Sequence, residues 1–396
     1  MTNPVTLLTG IRVVSIEQYI GAPYCTSILA DAGAEVIKIE LPGVGDPRRA
    51  YDPRREDENG SLSGGFASYN RGKKSVELDL TTAEGLSNLD AMLSSADVLV
   101  SNLRPGSLAK YGLSREHVSE RFPALIVCEL SGFGQTGPYA AWPAFDSVIQ
   151  AMSGLSSLLG ESPDSAPGLA PMATMDLLGG VYAAVGILMG LVSRQRTGLG
   201  IHVDAAMYDI GAAFLERPLT LHEFTGAVPV RGIDRFSPVG SFRAGDGGWV
   251  SIVIPTDEMW RRCCVAIGRN DLISSPKLDT VLKRAERMGD LVIPALESWA
   301  ANLTRAEAAR MLREAGQPAG VVQTIDEVRA DPHLAQRGLF QPVEDPRAVH
   351  EDGTVFRLPR LPLLFDGVGA EPGPIPPLGE HNTEFIKHDG IASEAP

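Results

Sequence analysis

The chain has 396 residues, of which 44% are hydrophobic and 21% charged, as in an ordinary globular protein. Its formal net charge of -14 argues against a nucleic-acid-binding surface and against binding to an acidic membrane, although a local basic pocket is still compatible with an anionic small ligand. A chain of this length exceeds what one hydrophobic core usually organises, so we expect two domains or one large domain with an insertion.

Strands and helices alternate through the first third of the chain. Such alternation predicts an α/β fold whose parallel sheet has helices on both faces. No G-x-G-x-x-G pattern follows the first strand, where the chain has EQYIGAPYC, so a nicotinamide dinucleotide site is not expected. The predicted strands are 10–17, 35–40, 75–80, 97–102 and 124–134, with helices at 22–34 and 82–95.

A basic residue stands where the fourth of these strands ends. In SNLRPGSLAKYGL (101–113), Arg104 lies beside a Pro-Gly turn just past the strand. Ligands of doubly wound sheets bind at the carboxyl ends of strands, and arginine is suited to phosphorylated anions. A solvated surface position is the alternative for any single basic residue here.

One carboxylate stands at the start of a long apolar run. Asp176 is followed by LLGGVYAAVGILMGLVS, and the next charge is Arg194. Asp is a preferred helix N-cap, which is one interpretation. The other is a nucleophile toward an acyl group, whose ionised form the free N–H groups and the dipole at the helix start would favour. The spacing alone does not separate the two.

The character of the chain changes at about residue 215. Gly and Pro become frequent, VGSFRAGDGGWVSIVI (239–254) predicts a β-hairpin, and helical periodicity returns later. A second hairpin is expected at 342–367, followed by an extended Pro-rich tail at 371–378. We therefore expect a large domain (1–215), a small α+β domain (216–325) and a C-terminal segment (326–396) that returns to the large domain. The later predicted helices are 257–268, 290–302 and 304–315.

Several other classes of site are not expected. The four cysteines have no C-x-x-C or His/Cys spacing, so we predict no metal site. The dispersed histidines lack a neighbouring nucleophile motif. No basic region followed by an apolar stretch begins the chain, and the uncharged run at 177–192 is too short for a comfortable membrane span. A soluble cytoplasmic protein is the expectation.

Eight stretches together resemble the class III CoA-transferases, the family that includes formyl-CoA transferase and carnitine CoA-transferase. They occur in the family's order from near the N-terminus to residue 386. Each stretch is weak by itself, but eight in order are specific. They are GIRVVSIEQYIGAPYCTSILADAGAEVIKIELPGVGDPRR, YNRGKKSVELDLTTAEG, SNLRPGSLAKYGL, LSGFGQTGPYA, FDSVIQAMSGL, MDLLGGVYAAVGILMGLVSRQRTGLGIHVDAAMYD, DPHLAQRG and PLGEHNTEFI.

The resemblance implies a fold and a reaction. The fold is a Rossmann-like large domain completed by the C-terminal segment, with a small domain, in an interlocked homodimer. The family's nucleophilic aspartate falls on Asp176, which would form a mixed anhydride with the donor acyl group and then an aspartyl-CoA thioester. Acyl-CoA and a free carboxylic acid would be the substrates, with no permanently bound cofactor. Backbone N–H groups of SGFGQTG (131–137) and of the Gly21 turn are the expected oxyanion donors.

The resemblance also places CoA contacts, with departures. The family's catalytic glutamine corresponds to Ile20, its CoA-binding arginine to Leu41, and its lysine to Pro143. Arg48, Arg49 or Arg104 would then have to bind the phosphates. The implied CoA contacts are Ile20, Gly21, Leu78, Asp79, Leu80, Thr81, Asn102, Leu103, Arg104, Lys110, Pro143, Ala144, Phe145 and Asp146.

Two rivals share parts of this pattern. An α-methylacyl-CoA racemase has the same aspartate, but its catalytic histidine corresponds to Phe145, which cannot move a proton. A CoA-binding protein that has lost catalysis is disfavoured because Asp176 is retained. Acceptor specificity is expected to depend on the small domain and on residues 222–243, where an arginine would clamp the far carboxylate of a dicarboxylic acid. The candidates are His222, Arg231, Arg235 and Arg243.

Overall fold

The computed structural model of the protein describes residues 6–57, 60–160, 162, 164–231, 238–350 and 352–386. In chain order the strands are β1 (Arg12–Ile16), β2 (Glu35–Glu40), β3 (Arg54–Asp57), β4 (Gly60–Ser63), β5 (Lys74–Glu77), β6 (Val98–Ser101), β7 (Ile126–Ser131), β8 (His202–Ala206), β9 (Val239–Arg243), β10 (Trp249–Val253), β11 (Ala319–Val321), β12 (Phe340–Pro342), β13 (Arg357–Pro359), β14 (Leu364–Phe365) and β15 (Val368–Gly369).

The helices are α1 (Gly21–Asp31), α2 (Gly64–Asn70), α3 (Ala83–Leu93), α4 (Ser107–Lys110), α5 (Arg115–Arg121), α6 (Asp146–Met152), α7 (Leu155–Leu158), α8 (Thr174–Thr197), α9 (Met207–Phe214), α10 (Glu216–Thr225), α11 (Asp257–Ala266), α12 (Val281–Glu286), α13 (Ile293–Ala300), α14 (Arg305–Glu314), α15 (Ile325–Ala330), α16 (Pro332–Gln336) and α17 (Asn382–Phe385). Short turns of other helix types lie at Pro47–Ala50, Asn270–Leu272 and Met288–Val292.

A parallel sheet organises the first part of the chain, as the alternating pattern predicted. Its order is β5-β2-β1-β6-β7-β8, and all five neighbouring pairs are parallel. Numbered by appearance within the sheet, this is 3-2-1-4-5-6, the order of doubly wound dinucleotide-binding folds. The direction of winding reverses between β1 and β6, so a crevice is expected outside their carboxyl ends.

Alternate residues of the strands face two different cores. Val13 and Cys128 belong to the cluster that contains α1 and α8, whereas Val14 and Val127 belong to the cluster that contains α3. Successive side chains of a strand point to opposite faces of a sheet, so strands covered on both faces must be apolar at nearly every position. This explains why the strands appear in the sequence as short continuous apolar runs.

Helix α8 is the longest of this layer and packs on the sheet through small residues. A Cβ on Gly180 would lie 2.7 Å from the Gly21 carbonyl oxygen of α1, and one on Gly190 would lie 3.1 Å from Ile126. By length and composition α8 is able to span a membrane, and it is longer than the uncharged run suggested. Its packing against α1, β7 and β8 identifies it as a core helix of the α/β layer.

The described residues fall into two compact units. One comprises those of 1–157, 167–224 and 333–396, and the other those of 158–166 and 225–332. In the second unit β9 and β10 form the predicted hairpin, with Arg243 opposite Trp249, and β11 pairs with β10. This small sheet packs on a core that includes the buried Cys263 and Cys264. The boundaries predicted from sequence for the domains stay predictions.

The C-terminal segment differs from its prediction in one respect. The hairpin predicted at 342–367 is present as the antiparallel pair of β12 and β13, but the end of that range, β14, pairs with β15 instead. The Pro-rich stretch that follows runs along the first unit. The Pro374 carbonyl accepts a hydrogen bond from Gly72 N–H, and the Pro376 carbonyl accepts one from Arg49.

Candidate active site

A cleft opens at the carboxyl edge of the parallel sheet, where the winding reverses. Its volume is about 290 Å³. The wall is built from the loops after β1, β6 and β7 and from the first turns of α1 and α8, so distant parts of the sequence meet there. The lining residues are Gln18, Tyr19, Gly21, Asn102, Leu103, Arg104, Pro105, Leu130, Ser131, Gly132, Trp142, Pro143, Ala144, Phe145, Asp176 and Met207.

The loops after β1 and β6 are fixed to each other by one asparagine. The Asn102 side-chain oxygen accepts a hydrogen bond from Gln18 N–H at 2.9 Å, and its amide donates to the Gln18 carbonyl at 2.7 Å. The next residue, Tyr19, has a φ of +67°, which is unfavourable for a residue with a side chain. Asn102 therefore holds the cleft wall in shape, and its amide is committed to this task.

Asp176 lies in the first turn of α8, but it is not the N-cap. The N-cap is Ala173, with no side-chain cap of its own. Instead Asp146 crosses from α6, and its Oδ1 accepts hydrogen bonds from Met175 N–H at 2.6 Å and Asp176 N–H at 3.3 Å. The N-cap interpretation of Asp176 is thus wrong, because another carboxylate occupies the free donors at the start of the helix.

The ionisation of Asp176 also differs from expectation. The pKa of Asp176 is raised to about 6, mainly by burial and further by the negative charge of Asp146, while Arg48 lowers it. We expected the helix start to stabilise the charged form. Asp146 accepts the hydrogen bonds of those N–H groups. The effect of burial, which raises the pKa of Asp176, therefore exceeds the effect of the helix start, which would lower it. At neutral pH a carboxylate with this pKa is mostly ionised and more basic than an ordinary aspartate.

The carboxylate itself has no partner. Among the described residues, no side chain or backbone group donates a hydrogen bond to its oxygens, and no ion pair includes it. The start of α1 faces it. A Cβ on Gly21 would lie 3.4 Å from Asp176 Oδ1 and 2.8 Å from Leu130 Cδ2. Glycine at this position brings the N-terminus of α1 against the carboxylate, with room for a substrate.

Two N–H groups of the second expected group of oxyanion donors are committed elsewhere. In SGFGQTG, Gly134 N–H donates to Ser131 Oγ, and Gln135 N–H donates to Asp204 Oδ2. Gly132 lines the cleft and approaches Ala144 so closely that an added Cβ would lie 2.3 Å from it. These hydrogen bonds fix the loop and remove Gly134 and Gln135 from the predicted donors.

The predicted CoA contacts separate into two sets. Gly21, Asn102, Leu103, Arg104, Pro143, Ala144 and Phe145 line the cleft with Asp176. Ile20 is the N-cap residue of α1, and Asp146 stands behind the cleft wall. The remaining residues do not line this cavity. The Leu78 side chain is buried in the core, so only its backbone can face a ligand. The turn before α3 contains Asp79, Leu80 and Thr81, and Lys110 is exposed at the end of α4.

A cluster of buried charges supports the loop after β1. We call Glu17, Lys38, Asp46 and Lys73 the buried ion cluster. Lys38 lies 2.8 Å from Asp46, and Lys73 lies 2.8 Å from Glu17. Burial alone would raise the pKa of Glu17, but the two lysines outweigh it and lower that pKa. Asp46 Oδ1 accepts the Tyr19 N–H, so the cluster is coupled directly to the cleft wall.

Of the residues predicted to select the acceptor, those that the structure describes do not line the cleft that contains Asp176. Arg243 donates from Nε to the Gly247 carbonyl, and Arg231 donates to the Ser162 carbonyl. His222 is exposed on α10. Arg235 lies outside the described residues. A clamp made from these side chains stays a prediction.

Sequence reasoning missed several residues of the site. Tyr19, Trp142 and Met207 line the cleft but carry no motif. The buried ion cluster had one visible signal, the lysine in the otherwise apolar strand EVIKIE. A lysine there can be buried only if it is paired, which would have pointed to neighbouring acids.

These features define an α/β protein whose ligand cleft lies at the switch point of a doubly wound sheet, with an unpaired carboxylate on its wall. The model of the family "CoA-transferase family III" matches residues 8–382. The chain therefore belongs to CoA-transferase family III, and it is an enzyme of that family.

Named relatives span nearly the whole chain. It is 33% identical to the succinyl-CoA–D-citramalate CoA-transferase of Chloroflexus aurantiacus, over 97% of this chain and 94% of that protein. It is 32% identical to the succinate–glutarate CoA-transferase of Agrobacterium fabrum, over 98% of this chain and 96% of that protein. A CAIB/BAIF family protein from Brucella suis has the same fold, with a TM-score of 0.83, 29% identity and coverage of 96% and 98%.

Proposed function

We propose that the protein transfers CoA from an acyl-CoA donor to a free carboxylic acid through covalent intermediates on Asp176. The observation that carries the proposal is the unpaired carboxylate on the cleft wall, with its pKa raised to about 6. A carboxylate that is ionised at neutral pH, desolvated and open to a ligand is suited to attack a thioester carbonyl.

The reaction follows from carboxylate chemistry. An oxygen of Asp176 attacks the donor carbonyl, and CoA leaves as the thiolate, which gives a mixed anhydride. The thiolate attacks the aspartyl carbonyl, so the donor acid leaves and an aspartyl-CoA thioester remains. The acceptor carboxylate then displaces the thiolate to form a second mixed anhydride. Attack of the thiolate on the acceptor carbonyl releases the new acyl-CoA and restores Asp176.

Each tetrahedral intermediate carries a negative oxygen that needs hydrogen-bond donors. We assign this task to the start of α1, where the N–H groups of Gly21 and Ala22 have no partner inside the helix. Pro23 has no N–H, so the donors are confined to these first residues. Gly21 supports the assignment because a Cβ added to it would lie only 3.4 Å from Asp176 Oδ1, so the helix start faces the carboxylate.

The cleft is sized for the reacting end of the substrate. With about 290 Å³ it accommodates the thioester and a short acyl chain, while the nucleotide part of CoA lies outside. Arg104 is an exposed cation on the cleft wall, and among the described residues its side chain has no ion pair. We assign it to a CoA phosphate, with the turn at 78–81 and Lys110 as further contacts.

The substrates that we favour are dicarboxylic acids and their CoA esters. The two named relatives are named for succinyl-CoA or succinate together with D-citramalate or glutarate, and each of these acids has two carboxyl groups. A cytoplasmic location fits such substrates.

We also propose the homodimer. Apolar side chains at helical spacing on α8 are exposed in the single chain, which is typical of a face that a second subunit covers. Sedimentation of the purified protein would show a mass of two chains, and a monomer would contradict this. The side chains are Val181, Tyr182, Val185, Leu188, Met189 and Val192.

The covalent intermediate is the test of the function. The protein is incubated with acyl-CoA and then treated with hydroxylamine, and peptide mass spectrometry locates the aspartyl hydroxamate. We expect it on Asp176 and not on Asp146. A protein that exchanges CoA without a modified Asp176 would contradict the mechanism. Deuterium uptake at the α-carbon of a 2-methylacyl-CoA would instead favour the racemase, which Phe145 disfavours.

A further inference from the structure

Two neighbouring arginines in the short turn Pro47–Ala50 have opposite environments. Arg49 is fully engaged, because its guanidinium pairs with Glu40 at 2.7 Å and donates to the Pro376 carbonyl. Arg48 has no such partner. Its Nε is buried without a hydrogen bond, and within the described part of the chain no acceptor or carboxylate pairs with its guanidinium. Of the two residues, Arg48 alone retains its binding capacity.

The position of Arg48 is fixed by its backbone and by packing. Asp46 caps the short turn Pro47–Ala50, and its Oδ1 accepts the Arg48 N–H at 2.9 Å. The guanidinium lies 5.7 Å from the ring centre of Tyr51 and 5.8 Å from that of Tyr69. A Cβ on Gly65 would lie 2.6 Å from Arg48 Nη2. The aromatic rings and the glycine hold the cation without neutralising it.

Arg48 is connected to the reacting carboxylate through neighbouring aromatic rings and through its charge. The Tyr51 ring lies 6.1 Å from that of Tyr19, which lines the cleft with Asp176. The positive charge of Arg48 lowers the pKa of Asp176, and both charges influence the pKa of Tyr69. The phosphates of CoA are separated from its sulfur by the whole pantetheine arm. A cation whose charge reaches Asp176 is therefore better placed for the acyl group than for the phosphates.

On the basis of the proposed function, we infer that Arg48 binds the distal carboxylate of a dicarboxylic acyl group whose other end reacts at Asp176. The guanidinium has the donors to bind a carboxylate, and its partial burial between Tyr51 and Tyr69 strengthens the interaction relative to an exposed site. Arg48 would thus be a specificity-determining residue, selecting short dicarboxylates over monocarboxylates of equal length.

The preference for dicarboxylates is measured by exchange of label between a free acid and its own CoA ester, so that donor and acceptor carry the same acyl group. The rates are measured for labelled succinate with succinyl-CoA and for labelled butyrate with butyryl-CoA, with glutarate and valerate as the next pair. Arg48→Gln should lower kcat/KM for the dicarboxylates about 10- to 100-fold more than for the monocarboxylates. Arg48→Lys should retain part of the preference, because the charge remains. Circular dichroism confirms that the variants are folded.

Arg104→Gln serves as the matched comparison. It should weaken both acyl classes to the same extent, as expected for a phosphate contact. If Arg48→Gln also affects both classes equally, Arg48 acts on Asp176 or on CoA and the inference is wrong, although the proposed function stands. Unchanged rates for both classes would overturn it as well. Wild-type protein that exchanges none of the four acids would overturn the proposed function and this inference together.

Discussion

Two groups of charged residues lie next to each other at the carboxyl edge of the sheet, and they are organised in opposite ways. The buried ion cluster is inaccessible to water, and each of its charges has a partner. Asp176 lines the cleft and Arg48 lowers its pKa, and within the described residues neither side chain has an ion pair. Tyr19 links the groups, because Asp46 holds its N–H while its side chain lines the cleft.

The difference separates charges that build the site from charges that act in it. Paired buried charges lose much when one partner is removed, because the other remains buried and uncompensated. Unpaired charges at a cleft raise the free energy of the empty protein and are available to a substrate. The structure therefore predicts losses of stability at the first group and losses of activity at the second.

The largest effect is expected at Asp176. Asp176→Asn should lower the rate of CoA exchange by at least about 10⁴-fold, because an amide cannot form the anhydride. The rate is measured by isotope exchange between an acid and its CoA ester. Asp90→Asn is the control, since Asp90 forms only an exposed ion pair with Arg121 and should leave the rate unchanged. Residual exchange within tenfold of the wild type would exclude Asp176 as the nucleophile.

The second effect concerns the buried ion cluster. Lys38→Met leaves Glu17 and Asp46 without their shared cation and should lower the free energy of unfolding by about 3–5 kcal/mol. Lys74→Met, which removes a partly exposed pair with Glu35, should cost at most about 1 kcal/mol. Urea denaturation measures both. If both variants lost the same free energy of unfolding, the buried ion cluster would contribute no more to stability than a partly exposed ion pair.

A smaller effect on rate is expected at the start of α1. The added methyl of Gly21→Ala would crowd Leu130 and approach Asp176, so kcat/KM should fall about 10- to 100-fold with little loss of stability. Gly289→Ala, where nothing lies within 4 Å of the added Cβ, is the control. An unchanged rate for Gly21→Ala would show that the close approach is not needed for the reaction.

The smallest effect is one of stability at the site itself. The pKa of Asp176 is raised to about 6 in the folded protein, so its ionised form destabilises the fold above that pH. Asp176→Asn should therefore raise the free energy of unfolding by about 1–3 kcal/mol at pH 7. The gain should shrink as the pH falls from 6 and vanish below about pH 4, where the native aspartate is protonated in both states. If Asp176→Asn were less stable than the wild type at pH 7, the conclusion that the ionised Asp176 has no stabilising partner would be wrong.

The apolar pattern was sufficient for most of the parallel sheet. Strands covered on both faces must be apolar, so β1, β2, β5, β6 and β7 were predicted near their observed positions. Strand β8 was missed because His202 and Asp204 interrupt its apolar run at the edge of the sheet. The hairpin predicted at 342–367 was confirmed in part, because β12 and β13 pair antiparallel there, whereas β14 pairs with β15 beyond the predicted end.

The position of Asp176 before an apolar helix was visible in the sequence, and so was its resemblance to a family nucleophile. Its electrostatics were not. The pKa depends on Asp146, which is thirty residues away in the chain and faces the start of α8 only because α6 packs there. No spacing rule predicts which of two carboxylates takes the free N–H groups of a helix.

The same distinction applies to the arginines. Arg48 and Arg49 are adjacent in the sequence, and nothing in the sequence distinguishes their roles. Arg49 pairs with Glu40 and the returning C-terminal segment, whereas Arg48 lies against the rings of Tyr51 and Tyr69. Local composition thus determined the strands, the long helix and the residue types available for chemistry. Pairing, burial and orientation of charges were decided by tertiary structure, because they depend on contacts between residues far apart in the chain.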